Sequence, residues 1–119
     1  MDQQRVQPTP RPPVDEGLIR EITQRIVAEL HPRRIILFGS RARGDHRPDS
    51  DVDLFVEMET AAHPVERRWA VGKLFPERRW GLDVVVHTPE EVGEWGDSLA
   101  SILPDILQEG KVLYEQPGP

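Results

Sequence analysis

Residues 37–58 read LFGSRARGDHRPDSDVDLFVEM, and this stretch decides the fold. It begins inside a continuous apolar run, residues 35–38, which is typical of a strand buried on both faces. Residues 39–44 predict a turn followed by a short helical segment, and residues 45–50 are polar and form a loop. From Asp51 onward, charged and apolar residues alternate, which predicts a second strand. The stretch is therefore a strand–turn–strand unit with polar groups at its turn.

The Gly39-Ser40 pair directly follows the first of these strands. Glycine lets a backbone approach a ligand closely and adopt unusual dihedral angles. Ser40 is expected to cap the short helix, where free N–H groups and the hydroxyl would form a site for phosphate. Arg41 and Arg43 add positive charge, although at least one of them is expected on a solvated helix face. Taken alone, a Gly-Ser pair before a helix is more often only a turn.

Asp51 and Asp53 carry the stronger chemical signal. Residues two apart on a strand point to the same face, which places these carboxylates roughly 6–7 Å apart at their bases. Their repulsion is costly unless a cation lies between them, and Mg²⁺ prefers carboxylate and phosphate oxygens. Such a pair can hold two metal ions at the spacing that suits in-line phosphoryl chemistry. The alternative is a solvated strand face, which the low strand propensity of aspartate weakens.

Asp83 lies inside an otherwise apolar segment, residues 81–86, with the sequence GLDVVV. An aspartate buried there without a partner would be costly. If this strand lies beside the one that carries Asp51 and Asp53, Asp83 completes a cluster of three carboxylates. An exposed position at the start of the strand is an equally open interpretation.

Prolines and capping residues mark the helix boundaries in the first two thirds of the chain. Asp15 is expected to cap a first helix that ends at Pro32. Pro64 opens a second helix that is expected to run to about residue 74, with Val65 and Trp69 turned inward.

The C-terminal third predicts a strand, two helical segments and a last strand. Residues 82–86 form the strand, and Thr88 begins a helix with a capping box. Pro104 interrupts an apolar helical stripe over residues 99–107, which predicts a kink or a new helix start. Residues 112–114 predict a short last strand. The element order indicates an α/β domain with a small mixed sheet flanked by helices.

Composition bounds the organisation of the chain and its partners. The 119 residues suffice for one domain, expected over residues 14–115, with a disordered Pro-rich tail over residues 1–13 and a short tail over residues 116–119. Fifteen basic against 21 acidic residues give a net charge of -6, which disfavours binding to duplex nucleic acid. The lack of cysteine excludes thiolate chemistry and fits a reducing cytoplasm. No export signal and no membrane-spanning run is seen, so a cytoplasmic location is expected.

The segments GSRARG at residues 39–44 and SDVDL at residues 50–54 together resemble the motif of the minimal nucleotidyltransferases of the DNA polymerase beta superfamily. Asp83 falls where this family has its third carboxylate. The ending GKVLYE at residues 110–115 is also similar to the family's C-terminus. The resemblance covers about residues 18–115.

The resemblance implies a polymerase beta-like nucleotidyltransferase fold and a set of site residues. Asp51, Asp53 and Asp83 would be catalytic and bind two Mg²⁺ ions, with Asp83 nearest the acceptor hydroxyl. Ser50 would either cap the loop or touch phosphate. The residues expected at the nucleotide are Gly39, Ser40, Arg43 and Ser50.

The resemblance also implies an activity and a partner. The chain would transfer AMP from ATP to a hydroxyl of a partner protein, and would act as antitoxin to a helical HEPN-domain toxin within a hetero-oligomer. One alternative is a non-catalytic module that neutralises its partner by forming a complex with it. Another is transfer to RNA or a small molecule, which the absence of a second, acceptor-binding domain disfavours.

Overall fold

The computed structural model describes residues 14–96 and 101–117. The expected N-terminal tail, the start of the apolar stripe at Leu99 and the last two residues lie outside the described residues. None of the helices in the described part has the length and apolarity needed to cross a bilayer. The elements in chain order are α1 Glu16–Leu30, β1 Arg34–Phe38, α2 Ser40–Arg43, β2 Val52–Glu57, α3 Pro64–Gly72, β3 Leu82–His87, α4 Pro89–Trp95, α5 Leu103–Glu109 and β4 Lys111–Glu115.

The four strands form one mixed sheet in the order β3-β2-β1-β4. β1 is antiparallel to both β2 and β4, and β2 is parallel to β3. A parallel pair needs a crossover connection, which α3 supplies between β2 and β3. The predicted α/β fold with a small mixed sheet is confirmed.

Both faces of the sheet are covered, as the apolar run in β1 predicts. On one face, Ile35 and Leu37 pack with Ile22 and Ile26 of α1. On the other face, Ile36 of β1 and Phe55 of β2 pack with Leu103 and Ile106 of α5. Because side chains alternate along a strand, Asp53 shares the α5 face with Phe55.

Local capping chemistry sets the helix ends much as predicted. The Asp15 carboxylate accepts a hydrogen bond from the backbone N–H of Leu18 at 2.8 Å, which caps α1. Thr88 and Glu91 form the expected capping box at α4. Pro104 lies in the first turn of α5, so it marks a new helix start and not a kink.

The prediction that α3 turns Val65 and Trp69 inward was wrong. These side chains are 66% and 70% exposed, and the buried face is formed by Arg67 and Val71. Arg67 can face inward because its guanidinium donates a 2.8 Å hydrogen bond to Glu91 and another to the carbonyl of residue 62. The hydrogen bond from Arg67 lowers the pKa of Glu91 to about 2, so the pair is ionised at neutral pH. α3 also ends at Gly72, short of the expected residue 74.

Candidate active site

One row of side chains crosses three strands where β1 ends. Phe38 at the end of β1 is the register partner of Asp53 in β2, and Asp53 is the register partner of Asp83 in β3. Register partners point to the same face of a sheet, so the row lies on the α5 face. Asp51 directly precedes β2 and is exposed, as is Asp83, whereas Asp53 is half-buried. The fold therefore brings the three predicted carboxylates to one region, and Asp83 lies both beside Asp53 and near an exposed strand start.

The Asp53 carboxylate packs directly against the backbone of Gly39. Gly39 has φ 75°, a conformation that side-chain-bearing residues rarely adopt, and a Cβ there would overlap Oδ2 of Asp53. Gly81 serves Asp51 in the same way, because a Cβ at that position would overlap Oδ1 of Asp51. Gly81 was not predicted as a site residue, although a glycine directly before the strand of Asp83 was a usable signal.

The expectation that Ser40 caps α2 was wrong. Gly39 occupies the N-cap position, and Ser40 is the first residue of the helix. The Gly39 carbonyl accepts hydrogen bonds from the backbone N–H groups of Ala42 and Arg43, both at 3.1 Å. The helix therefore starts one residue earlier than expected, directly after the positive φ of Gly39.

Arg41 binds the loop between the two halves of the motif. Its side chain is only 7% exposed. The guanidinium donates two hydrogen bonds to the carbonyl of Ser50, at 2.9 and 3.2 Å, and further ones to the carbonyls of Pro48, Arg47 and Val14 at 3.1 to 3.4 Å. The Ser50 hydroxyl accepts a 2.8 Å hydrogen bond from the backbone N–H of Arg47, so Ser50 caps the loop. The sequence did not predict these hydrogen bonds between Arg41 and the loop.

Arg43 is exposed and lies near the carboxylates. Its Nε is 3.3 Å from Oδ2 of Asp45. A cleft of about 290 Å³ opens beside it between α2 and α5, lined by Phe38, Gly39, Arg43 and Asp105 among others. Arg43 is therefore the motif arginine that lines this cleft, together with the acidic side chains of Asp105 and Glu109.

The charge balance around Asp53 favours a cation. Burial, followed by the neighbouring carboxylates of Asp83 and Asp51, raises the pKa of Asp53 to about 6, and Arg43 and Arg41 oppose this rise. All three candidate ligands offer carboxylate oxygens, which Mg²⁺ prefers. The chemistry of this donor set fits the expected metal.

The carboxylates adjoin one another without forming a closed cage. Asp51 packs against Gly81 directly before β3, whereas Asp53 packs against Gly39 directly after β1. Within residues 14–96 and 101–117, no group of three or more His, Cys, Asp and Glu side chains is close enough to hold a metal ion. Mg²⁺ commonly takes one or two carboxylates and completes its coordination with water and substrate phosphates. The arrangement thus fits a metal that binds together with a nucleotide.

Mg²⁺ binding to the protein is expected to weaken as the pH falls through about 6, because the proton and the metal compete for Asp53. At pH 5 the apparent affinity should be roughly tenfold lower than at pH 7.5. The raised pKa also means that ionisation of Asp53 costs more in the folded state, so the metal-free protein loses stability as the pH rises from 3.8 through about 6. Calorimetric Mg²⁺ titrations at both pH values, with and without a non-hydrolysable ATP analogue, check this; equal affinities would contradict it.

A glycine turn beside paired carboxylates, next to an open cleft, is the kind of arrangement that binds a divalent cation together with phosphates. The comparison with known families agrees with this class of site. The chain belongs to the nucleotidyltransferase domain family, whose sequence profile matches residues 19–115. Membership in this family supports a transferase. Among curated proteins, none matches this sequence significantly.

Two solved structures share the fold. A Sulfolobus solfataricus protein with a provisional assignment as a nucleotidyltransferase is 20% identical, with a TM-score of 0.60 over 84% of this chain and 79% of that one. A toxin–antitoxin structure solved with AMP-PNP is 22% identical, with a TM-score of 0.56 over 82% of this chain and 73% of that one. At these identities the likeness establishes the fold.

Proposed function

We propose that this protein is a Mg²⁺-dependent nucleotidyltransferase that moves AMP from ATP to a hydroxyl of a partner protein, and that it acts as antitoxin to a HEPN-domain toxin. The observation that carries the proposal is the row from Phe38 to Asp83, in which two carboxylates from neighbouring strands lie beside the Gly39 turn. Family membership supports the transfer chemistry. The toxin–antitoxin neighbour with bound AMP-PNP supports the choice of nucleotide and of partner.

Asp51 and Asp53 would hold Mg²⁺, with Asp83 as the third carboxylate. The ions would neutralise charge on the triphosphate and on the leaving pyrophosphate. Gly39 and Ser40 would contact the phosphates at this turn, where the missing Cβ of Gly39 makes room for Asp53, and Arg43 would donate to the phosphates from α2. Ser50 contributes by holding the loop that leads into Asp51.

Asp83 is the group proposed to receive the acceptor hydroxyl. It is exposed, so an acceptor can reach it, and it lies in register with Asp53. In the reaction, the acceptor oxygen forms a bond to the α-phosphorus while the bond between that phosphorus and the bridging oxygen breaks. Pyrophosphate leaves, and the hydroxyl proton passes to Asp83 or to water.

Transfer of the α-phosphate is expected when the protein is incubated with Mg²⁺ and ATP labelled at the α-phosphorus, in lysate of the source cell. A labelled protein band that disappears with EDTA supports the proposal, and its mass identifies the acceptor. ATP labelled at the γ-phosphorus is the matched control, because AMP transfer leaves that label in pyrophosphate.

Two other outcomes of this labelling experiment would change the proposed acceptor or the proposed activity. Label in RNA or in a small molecule keeps the transfer chemistry and replaces the acceptor. No label in any fraction, with a stable complex between this chain and a partner, would contradict the enzyme and favour a module that neutralises its partner by binding.

A further inference from the structure

A groove of about 560 Å³ runs between α3 and the outer edge of β3 and ends at Asp83. We call it the α3–β3 groove. Its lining residues include Val65, Arg68, Trp69, Lys73, Arg78 and Asp83. It shares no lining residue with the cleft between α2 and α5.

The rim of the groove exposes apolar surface. Trp69 and Val65 lie four residues apart on α3, and both are among the most exposed large apolar side chains in the described part of the chain. Both face away from the core that α3 helps to build. Exposed aromatic and apolar side chains that cluster beside a groove mark contact surfaces, because tryptophan contributes strongly to protein interfaces.

The groove is also locally basic, although the chain as a whole carries a net charge of -6. Arg68, Lys73 and Arg78 are exposed, and Asp83 is the acidic residue among its lining side chains. The Lys73 ammonium lies 5.6 Å from the centre of the Trp69 ring. Arg78 is held in place by hydrogen bonds to the carbonyls of Gly72 and Phe75, at 3.3 and 3.1 Å. Such a patch attracts an acidic ligand and steers it toward the groove.

The backbone of β3 offers hydrogen-bonding groups along the same groove. The carbonyls of Gly81 and His87 accept hydrogen bonds from the backbone N–H groups of Val52 in β2 and of Met58 directly after β2, at 2.9 and 3.0 Å. In a parallel ladder the backbone groups of alternate residues turn to alternate sides, so those of Leu82 and Val84 face the outer edge. The next outward carbonyl, that of Val86, accepts a 3.4 Å hydrogen bond from Arg67. The accessible edge is therefore short and lies beside Asp83.

We propose that the α3–β3 groove is the docking site of the acceptor: an extended, acidic polypeptide segment of the partner that pairs with β3 at Leu82 and Val84. Edge pairing would supply affinity through backbone hydrogen bonds, and the basic rim would supply selectivity for acidic side chains. A residue of the added strand opposite Asp83 points to the same face, so its hydroxyl lies next to that carboxylate. The role of this docking site in catalysis rests on the proposed function.

A polypeptide suits the groove better than a nucleic acid. Three cations give little counterion release, which dominates nucleic-acid affinity, whereas the outward N–H and C=O groups of β3 match the regular spacing of a peptide backbone. The apolar rim of Trp69 and Val65 favours side chains of a peptide in the same way.

The test uses the full chain and a fluorescein-labelled decapeptide that is rich in aspartate and glutamate and contains one central tyrosine. The double variant Arg68→Glu with Lys73→Glu should weaken binding by roughly tenfold or more in fluorescence anisotropy at low salt. The control Arg20→Glu with Lys111→Glu makes the same charge change on exposed residues of α1 and β4, away from the groove. It should stay within about twofold of the unsubstituted protein.

Two further probes separate edge pairing from charge attraction alone. A decapeptide N-methylated at alternate residues around the tyrosine keeps its charge and cannot donate to the strand edge, so its binding should fall. An RNA oligonucleotide of equal length should not compete. Equal binding to both double variants, no loss on N-methylation, no binding of the peptide to the unsubstituted chain, or displacement by the RNA would each overturn the docking site.

AMP transfer to the tyrosine of the same peptide distinguishes the two proposals. If binding depends on the groove and no label is transferred, the docking site stands and the proposed enzyme fails. If label is transferred equally by the unsubstituted chain and the groove variant, the enzyme stands and the docking site fails. Unchanged Mg²⁺–ATP binding in the groove variant shows that the proposed nucleotide site is intact.

Discussion

Asp53→Asn is expected to abolish nucleotide transfer while leaving the fold intact. The substitution keeps the shape of the side chain and removes the charge that would hold the metal between β1 and β3. Loss of such charge stabilisation corresponds to roughly a 10²–10⁴-fold lower rate. The folded protein should not suffer, because burial and two neighbouring carboxylates already oppose ionisation of Asp53. Rates of AMP transfer and urea unfolding curves at neutral pH check both parts.

Asp49→Asn is the matched control for Asp53→Asn. Asp49 is an exposed aspartate in the loop before β2, so its substitution makes the same chemical change away from the row of register partners. It should retain transfer within about threefold. An Asp53→Asn variant that transfers AMP at the rate of the control would remove Asp53 from the metal site.

Arg41 substitutions are expected to destabilise the protein and to lower transfer with it. Arg41→Ala leaves the carbonyls of Ser50, Pro48 and Arg47 without their donor, which should cost about 2–4 kcal/mol in the free energy of unfolding. Arg41→Lys should recover little of this loss, because an ammonium cannot reproduce the planar fork that reaches several carbonyls at once. Urea unfolding measures the loss of stability.

Arg43→Lys is the comparison variant for Arg41→Lys. It distinguishes a structural role of the arginine at position 41 from a role of its positive charge alone. Arg43 is exposed, so this change should leave the unfolding free energy within about 0.5 kcal/mol. If Arg41→Lys were as stable and active as Arg43→Lys, position 41 would supply only positive charge. The structural role assigned to the hydrogen bonds of Arg41 would then be wrong.

The strand patterns of the sequence predict much of the candidate site. The apolar run in β1 and the alternation after Asp51 place Asp53 on the face opposite Leu54, and the structure confirms this alternation. The pairing of Asp83 with Asp53 was open, since a sequence does not state which strands are neighbours or with what register. That information comes from the packing of α3 and from the sheet order.

The error at α3 has a physical origin in a polar side chain, Arg67, that finds its partner far along the chain. Val65 and Trp69 are more apolar than Arg67, so sequence hydrophobicity alone turns the wrong side of α3 inward. The guanidinium of Arg67 tolerates burial because it pairs with Glu91 of α4 and donates to backbone carbonyls. Arg41 is likewise indistinguishable from Arg43 in the sequence, and only the path of the following loop decides which one is buried.

The register that joins Phe38, Asp53 and Asp83 has a consequence for biosynthesis. The row is built from three segments that are distant along the chain, and its last member lies in a strand that must dock parallel to β2. Contacts of this kind close long loops and form slowly. A nascent chain that has emerged only as far as β2 therefore contains the whole Gly-Ser and Asp-x-Asp motif and still lacks a complete row. The candidate site of this protein is therefore completed only when β3 docks beside β2, after the whole motif has been synthesised.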